Sequence, residues 1–169
     1  AQEVPAAPEL PPVPSGAGTL VGEVALAGAR PADLIVTPFY LGDFGPGRPV
    51  VRDHVPQPTP LPSRRFVGTA GQFRWDGLAP GSYAVHVVAP DRGVAMVRAQ
   101  VTAALAGNAS AALAPAASIA GRAVDDRGVE LAGVEIAVRV DELPLALVTT
   151  DAHGTFLAPD LPPGAARII

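Results

Sequence analysis

One motif occurs twice in this chain and limits what the chain can fold into. Residues 71–87 read GQFRWDGLAPGSYAVHV, and residues 154–169 repeat their order as GTFLAPDLPPGAARII. In the first copy Phe73 and Trp75 alternate with polar residues, and the alternation resumes after a Pro-Gly turn. Alternation with a period of two is typical of half-buried strands. Each copy is therefore predicted to form an antiparallel hairpin.

The register of the repeat extends beyond this motif. Five positions recur 83 residues further on, namely Gly71, Phe73, Leu78, Pro80 and Gly81 at Gly154, Phe156, Leu161, Pro163 and Gly164. Gly22 recurs 99 residues further on as Gly121, and Ile35 recurs 101 residues further on as Ile136. A repeat of this size predicts two similar domains in tandem rather than a solenoid of many units.

The chain divides into three predicted segments. Residues 1–16 contain five prolines among Ala, Val and acidic residues, which favours an extended, polyproline-like arm or linker. Residues 17–116 are predicted to form a first β-sandwich with a long Pro/Gly-rich insertion at 41–63, and residues 117–169 a second one. After the Pro-Gly turn the first copy continues for roughly three more strands, whereas the second stops, so the second sandwich is predicted to be incomplete at its C-terminus.

An incomplete sandwich has a consequence for binding. A sheet edge without its neighbouring strand exposes backbone N–H and C=O groups that are liable to pair with another chain. We expect either that the chain is a fragment, or that residues outside it or a partner strand fill the gap.

Alternation and turn residues predict the individual strands, which are residues 19–26, 33–40, 65–69, 94–101, 109–113, 118–125, 133–140 and 145–150, besides the two hairpins. Pro38 predicts an edge or strand-end position for the second of them. The Ala-rich residues 100–113 also have high helix propensity, and the Gly-Asn pair at 107–108 favours strands paired across a turn instead.

Composition and charge exclude several classes of function. The net charge is −4, with both signs interspersed, which argues against nucleic acid or an anionic membrane as the partner. The chain has no cysteine, and therefore no disulfide, thiol nucleophile or thiolate metal site. The longest weakly polar stretch, residues 101–121, is interrupted by Gly, Asn, Ser and Pro, so no membrane span is predicted. The chain begins Ala-Gln with no basic segment, so any targeting peptide has been removed or was never included.

The second half carries a recognisable resemblance. The run GRAVDDRGVELAGVEIAV, followed by TTDAHGTFLAPDLPPG, resembles the carboxypeptidase regulatory-like domain, also described as transthyretin-like or prealbumin-like. The resemblance is close over Ser118–Gly164 and extends over residues 71–101 of the first half. It implies a seven-stranded Greek-key β-sandwich of the kind found as an accessory module in secreted and envelope proteins. A fold resemblance of this sort implies no activity.

The residues that could carry catalysis lack the necessary spacing. His54, His86 and His153 form no HxH, HxxxH or HExxH motif, and no serine lies in a G-x-S-x-G motif. The run G-x-F-x-W at residues 71–75, followed by P-G-S-Y at residues 80–83, is similar to part of the intradiol dioxygenases, a family that needs two tyrosines and two histidines around iron. This chain offers Tyr40 and Tyr83 but only the lone His86 after the turn. No catalytic residue, metal or cofactor is predicted.

Two further groups of residues have alternative interpretations. Asp125, Asp126, Asp151 and Asp160 could offer oxygens to calcium, but their spacing differs from that of a calcium loop, and we attribute them to turns. Trp75 is the only tryptophan and could serve as a platform for sugars. It shares a strand face with a phenylalanine, which favours a core position. A small-molecule ligand is therefore not expected.

The insertion at residues 41–63 is the candidate partner-binding loop. With the two arginines that follow it, the loop provides the candidate contact residues Phe44, Arg48, Arg52, Asp53, His54, Arg64 and Arg65. Long loops on rigid scaffolds often carry recognition, and a Pro-stiffened loop loses less entropy on docking. The alternative is a tolerated surface insertion.

The patterns predict an all-β protein with a tandem repeat after a Pro-rich N-terminal arm, and the resemblance implies that the two copies are prealbumin-like Greek-key β-sandwiches. The predicted function is a noncatalytic structural or protein-binding module of a secreted or cell-envelope assembly, whose partners are another protein or neighbouring domains of that assembly. The alternatives are a carbohydrate-binding module of a larger secreted enzyme and, more distantly, a metal-dependent dioxygenase-like enzyme.

Overall fold

The computed structural model describes residues 15–42, 58–90 and 92–169 of the chain. These residues form strands and turns, with no helix among them. The strands are β1 (Ser15–Ala25), β2 (Leu34–Gly42), β3 (Thr59–Pro60), β4 (Arg64–Phe66), β5 (Gln72–Leu78), β6 (Gly81–Ala89), β7 (Gly93–Val101), β8 (Gly107–Asn108), β9 (Ala111–Ala112), β10 (Ala117–Arg122), β11 (Glu135–Val140), β12 (Leu143–Thr149), β13 (Thr155–Leu161) and β14 (Ala166–Ile168). The predicted all-β, sandwich-like fold is confirmed.

The first half contains two sheets that face each other. In one sheet β1 lies between β5, which is antiparallel to it, and the short strands β8 and β9, which are parallel to it. In the other sheet β2 and β6 are central, β3 and β4 pair with β2, and β7 pairs with β6. Trp75 and Tyr83, one from each sheet, are buried in the shared core at 2% and 0% exposure. A fully buried side chain of this kind contributes roughly 1.5–3 kcal/mol through removal of apolar area from water.

The motif that organises the sequence is not a hairpin, so that prediction is wrong. β5 pairs with β1 and β6 pairs with β2 and β7, and the same separation holds for β13 and β14 in the second half. The alternation reflects two strands that each turn alternate residues toward the core, and a sequence pattern cannot show whether two such strands belong to one sheet or to two. Between them the chain turns at Gly81, whose φ of 150° suits glycine, and crosses to the opposite sheet.

The second half forms the same kinds of strand pair. β10 pairs with β13, and β11 pairs with β12 and β14, as β1 pairs with β5 and β2 pairs with β4 and β6. Gly22 lies opposite Phe73, and Gly121 lies opposite Phe156. A Cβ atom at either glycine would collide with the ring of its partner. The glycines therefore recur because an aromatic ring lies over the backbone at the same place in each half.

The spacing predicted between β2 and β11 needs a correction of one residue. Pro38 pairs with Val85, and Val138 pairs with Ile168. At the spacing of 83 residues Val85 of β6 corresponds to Ile168 of β14, so their partners Pro38 and Val138 correspond at a spacing of 100 residues. The predicted match of Ile35 with Ile136, at 101 residues, is therefore wrong. A shift of one residue exchanges the two faces of a strand, and indeed Ile136 is in the core whereas Ile35 is not.

Several predicted boundaries also move. β1 begins at Ser15, which pairs with Leu78, so the last residues of the predicted arm belong to the sheet, and residues 1–14 lie outside the described part. The predicted loop at 41–63 starts inside β2 and contains β3. Pro38 is not at an edge, because β2 has neighbours on both sides. Pro38 lies between the residues of β2 that pair with β4 and those that pair with β3. Its carbonyl accepts a hydrogen bond from the Leu61 amide at 2.8 Å.

The Ala-rich segment forms strands rather than a helix. Contrary to the predicted turn, Gly107–Asn108 is itself a strand, and β8 and β9 pair in parallel with β1 rather than with β7. The Ala109 amide donates to the Val21 carbonyl and the Leu113 amide to the Ala25 carbonyl, each at 2.8 Å. Long-range pairing with β1 therefore outweighs the local helix propensity of alanine.

Candidate interaction surface

The surface that differs most between the halves is the pair of outer edges of β10 and β14. In the first half the corresponding strands, β1 and β6, each have a neighbour on both sides. Within the described residues β10 pairs only with β13, and β14 only with β11. Residues 117–169 thus contain no counterpart of β7, β8 or β9.

The backbone groups on these edges can be assigned from the hydrogen-bond pattern. The Ile169 amide donates to the Ala137 carbonyl at 3.0 Å, and the Ala123 amide to the Gly154 carbonyl at 2.8 Å. Because bonded and non-bonded residues alternate in antiparallel pairs, the N–H groups that point outward belong to Ala166 and Ile168 on β14 and to Ala120 and Arg122 on β10. Four backbone donors thus face away from the sheets.

The equivalent groups of the first half show what such an edge can hold. The carbonyl of Val21 on β1 accepts from the Ala109 amide at 2.8 Å, and the Glu23 amide donates to Ser110 Oγ at 3.1 Å. On β6, Tyr83 pairs with Ala99 and Val85 with Val97. Within the described residues no strand pairs with the same positions of the second half.

Apolar side chains surround the two edges. Ile168 and Ile169 are 50% and 63% exposed, Leu147 is 66% exposed and Leu157 is 58% exposed. Leu147 and Ile169 flank Ala137 on the outer face of the β12-β11-β14 sheet, through the β11·β12 register and the Ile169–Ala137 hydrogen bonds. An unpaired edge with exposed apolar side chains beside it combines the two features that strand addition uses.

Arginine side chains lie on or beside both edges. Arg139 and Arg167 are cross-strand partners on the outer face, and the Arg139 guanidinium donates to the Glu142 carbonyl at 2.7 Å. Beside β10, Arg122 forms an ion pair with Glu130 at 3.3 Å. Like charges placed directly opposite each other are unfavourable, so an acidic residue from an added strand would be well placed beside Arg167.

The two arginines that follow the predicted partner-binding loop contact other residues of this chain. The Arg64 guanidinium stacks on the Trp75 ring at 4.1 Å, a cation–π contact. Arg65 forms an ion pair with Asp33 at 2.9 Å, and hydrogen bonds from Arg65 and from the Gly68 amide lower the pKa of Asp33. The other predicted contact residues, Phe44, Arg48, Arg52, Asp53 and His54, lie outside the described residues.

The residues weighed for other functions have structural roles. Trp75 is buried, as expected for a core residue, so its ring offers no platform for a sugar. Asp125 accepts from the amides of Arg127 and Val129, at 2.9 and 2.8 Å. Asp151 makes the same turn with residues 153 and 155, and these hydrogen bonds, that of the Thr155 hydroxyl first, lower its pKa. The turn interpretation of these two aspartates is confirmed, whereas it is wrong for Asp160, which lies within β13.

The tyrosine and histidine that a ring-cleaving enzyme would need are on opposite faces of β6. Tyr83 faces the core, its hydroxyl donates to the Ala79 carbonyl at 2.8 Å, and burial raises its pKa to about 12. His86 is on the outer face, and His153 is exposed in a turn, 3.8 Å from Glu130. Among the described residues no three His, Cys, Asp or Glu side chains lie close enough to hold a metal ion.

Sequence reasoning missed a contact between the two halves. Phe39, Ala84 and Leu143 form a small buried cluster, with Leu41, Met96 and Leu145 packed around it. Phe39 and Ala84 come from the outer face of the first half, and Leu143 begins β12. Phe39 alternates with the core residues of β2, so the sequence could have shown a large apolar side chain on the outer face. An outward aromatic residue does not by itself identify the segment that covers it.

Comparisons with known proteins add little to these observations. No protein-family model matches the chain, and no curated protein matches its sequence. A solved structure of a streptococcal ancillary pilin aligns with a TM-score of 0.36 at 15% identity, over 89% of this chain and 58% of the pilin. The chain thus spans less than two thirds of that protein, and a similarity of this size assigns neither fold nor function. In the described residues no helix has the length and apolar character needed to cross a membrane.

Proposed function

We propose that this chain is a noncatalytic structural or protein-binding module of a secreted or cell-envelope assembly, and that its second half accepts a β-strand from a neighbouring polypeptide segment. The carrying observation is that β10 and β14 have no outer neighbour within the described residues, whereas β1 and β6 are covered. Covering strands of the first half make main-chain hydrogen bonds along both edges, which is the interaction that strand addition supplies.

The proposed organisation is two tandem copies of one module after a Pro-rich arm, with the first copy at residues 15–116 and the second at 117–169. The matched strand pairs and the two glycine–phenylalanine contacts support this division. The resemblance of residues 118–164 to the carboxypeptidase regulatory-like domain supports the secreted or envelope setting. The loop at residues 43–57 remains a proposed second contact region.

A graft tests the proposal directly. Residues 87–113 of this chain, which include β7, β8 and β9, are attached after Ile169, because Ile169 corresponds to His86 at the spacing of 83 residues. The high effective concentration of a tethered strand should allow pairing without a tight intrinsic affinity. The outward amides of Ala120, Arg122, Ala166 and Ile168 should then become protected from hydrogen exchange.

Two controls show whether protection comes from strand pairing. A graft of the same composition in scrambled order should leave the four amides unprotected. Ala166→Pro in the correct graft removes an outward N–H without removing a bond to β11, and should therefore prevent pairing along β14. If the correct graft protects none of the four amides, the second half is not a strand acceptor and the proposal is wrong.

A further inference from the structure

A buried histidine lies where the two halves meet. His86 is on β6, where Thr37 of β2 and Met96 of β7 are its cross-strand partners. It is only 8% exposed, although it is on the face of the sheet that points away from the core of the first half. The core of the first half therefore does not bury His86, and other residues must cover it.

The second half supplies much of the cover. His86, Phe39 and Ser63 line a cavity of about 470 Å³ together with Pro144 and Leu145 of β12. A hydrogen bond also connects His86 to the backbone of Asp160 in β13. Two strands of the second half thus pack on one imidazole of the first half, beside the cluster of Phe39, Ala84 and Leu143.

The groups around the imidazole decide which protonation state the closed contact favours. Its Nε2 atom is buried and has no hydrogen-bond partner among the described residues. Among the described residues Asp160 is the group whose charge acts on the imidazole. β2, β7, β12 and the segment before β4 place Thr37, Met96, Leu145 and Ser63 around it, and none of these titrates in this range. Burial lowers the pKa of His86, and the Asp160 backbone and charge offset part of that effect.

We propose that His86 makes the contact between the two halves sensitive to acid, so that protonation of its imidazole weakens the contact and the halves separate while each keeps its own strands. In the closed contact a proton on Nε2 would add a buried charge for which no described residue supplies an acceptor, which is costly. In the open arrangement the imidazolium is hydrated. The open state therefore binds the proton more readily, and the closed contact is lost as pH falls below the ordinary value of about 6.5.

The experiment measures the separation of the halves in the whole chain. The protein has no cysteine, so Val67→Cys and Leu157→Cys, at exposed sites in different halves, accept a donor and acceptor dye. Energy transfer is followed from pH 7.5 to pH 5, with far-ultraviolet circular dichroism recorded at each pH. We expect a reversible fall in transfer with a midpoint below 6.5, and an unchanged β-sheet spectrum.

Variants of the three histidines identify the group responsible. His86→Gln cannot titrate and should abolish the pH dependence, whereas His153→Gln and His54→Gln should retain it. Constant transfer in the parent protein, an unchanged midpoint in His86→Gln, or loss of the β-sheet spectrum together with the transfer would each overturn the proposal. If His86→Gln does not fold, the proton resonances of His86 in the parent protein decide. Their titration must have the same midpoint as the transfer, and a different midpoint also overturns the proposal.

Discussion

The two halves of this chain have the same strand pairs and differ in what covers them. In the first half the edges of β1 and β6 are occupied by β8, β9 and β7, and seventeen described residues form one buried core. In the second half the corresponding edges of β10 and β14 have no outer neighbour among residues 117–169, and the core contains five buried residues. The difference shows that the repeated motif specifies strand pairing, while edge strands decide how much apolar surface is buried.

One pair of equivalent positions illustrates the difference. Trp75 lies opposite Leu20 on β1, and Ala158 lies opposite Ile119 on β10. Both are buried, at 2% and 0% exposure, but the tryptophan belongs to the core of seventeen buried residues and the alanine to the core of five. The larger core depends on the larger side chain, and this dependence can be tested.

The largest effect is expected for Trp75→Ala. Removal of a buried aromatic ring leaves a cavity and should lower the free energy of unfolding by about 3–5 kcal/mol. Chemical denaturation followed by circular dichroism measures the change, because the variant has no tryptophan to report by fluorescence. Val67→Ala, at a site that is 67% exposed, is the control and should change stability by less than about 0.5 kcal/mol. A loss below about 1 kcal/mol in Trp75→Ala would show that the ring does not support the core.

The next largest effect is a loss of stability that should be equal when the same glycine is replaced in each half. Gly71 and Gly154 have φ values of 79° and 69°, and a Cβ at either would collide with the carbonyl oxygen of Val24 or Ala123. Gly71→Ala and Gly154→Ala should each cost at least about 1–3 kcal/mol by thermal or chemical unfolding. Gly28→Ala is the matched control, because Gly28 has a φ of 82° but open space around it. If the first two substitutions cost no more than the control, the shared backbone geometry of the halves is not important for stability.

The smallest effect is a difference in salt dependence between one carboxyl pKa in the first half and one in the second. The pKa of Asp33 is lowered mainly by its hydrogen bond with Arg65, and that of Asp151 mainly by the Thr155 hydroxyl. Both carboxylates contribute stability above the unfolded pKa of about 3.9, and the contribution is lost as pH falls through the lower folded pKa. Salt screens an exposed ion pair more than a neutral hydrogen bond. Carboxyl-carbon NMR titrations at about 0.05 and 1 M salt should therefore show an upward shift for Asp33 and almost none for Asp151. Equal shifts would contradict this assignment.

The sequence predicts the strands better than it predicts their partners. The alternation of Ile136, Val138 and Val140 correctly identifies the buried face of β11, because burial of one strand face has a period of two. The same rule placed β5 and β6 in one hairpin, although each faces the core from a different sheet. Pairing between distant strands has no local signature, and so β8 and β9 beside β1 could not be foreseen from alanine-rich sequence.

The sequence is informative about one of these surfaces and silent about the other. The shorter second repeat predicts an incomplete second sandwich, since the first half shows how many strands one copy uses, and this stays a prediction. The contact around His86 was missed because it depends on how the outer face of β2 and β6 meets β12. That arrangement is a property of packing between halves, and nothing in the spacing of histidines reports it.

Amide hydrogen exchange in the monomeric chain tests the central claim most directly. If β10 and β14 are open edges, the amides of Ala120, Arg122, Ala166 and Ile168 should exchange rapidly, while the bonded amides of Ala123 and Ile169 and the equivalent first-half amides of Tyr83 and Val85 should be protected. Rapid exchange of all eight would mean that the strands of both halves open together. Strong protection of the four edge amides in a chain shown to be monomeric would contradict the account, because their hydrogen bonds would already be satisfied within the chain.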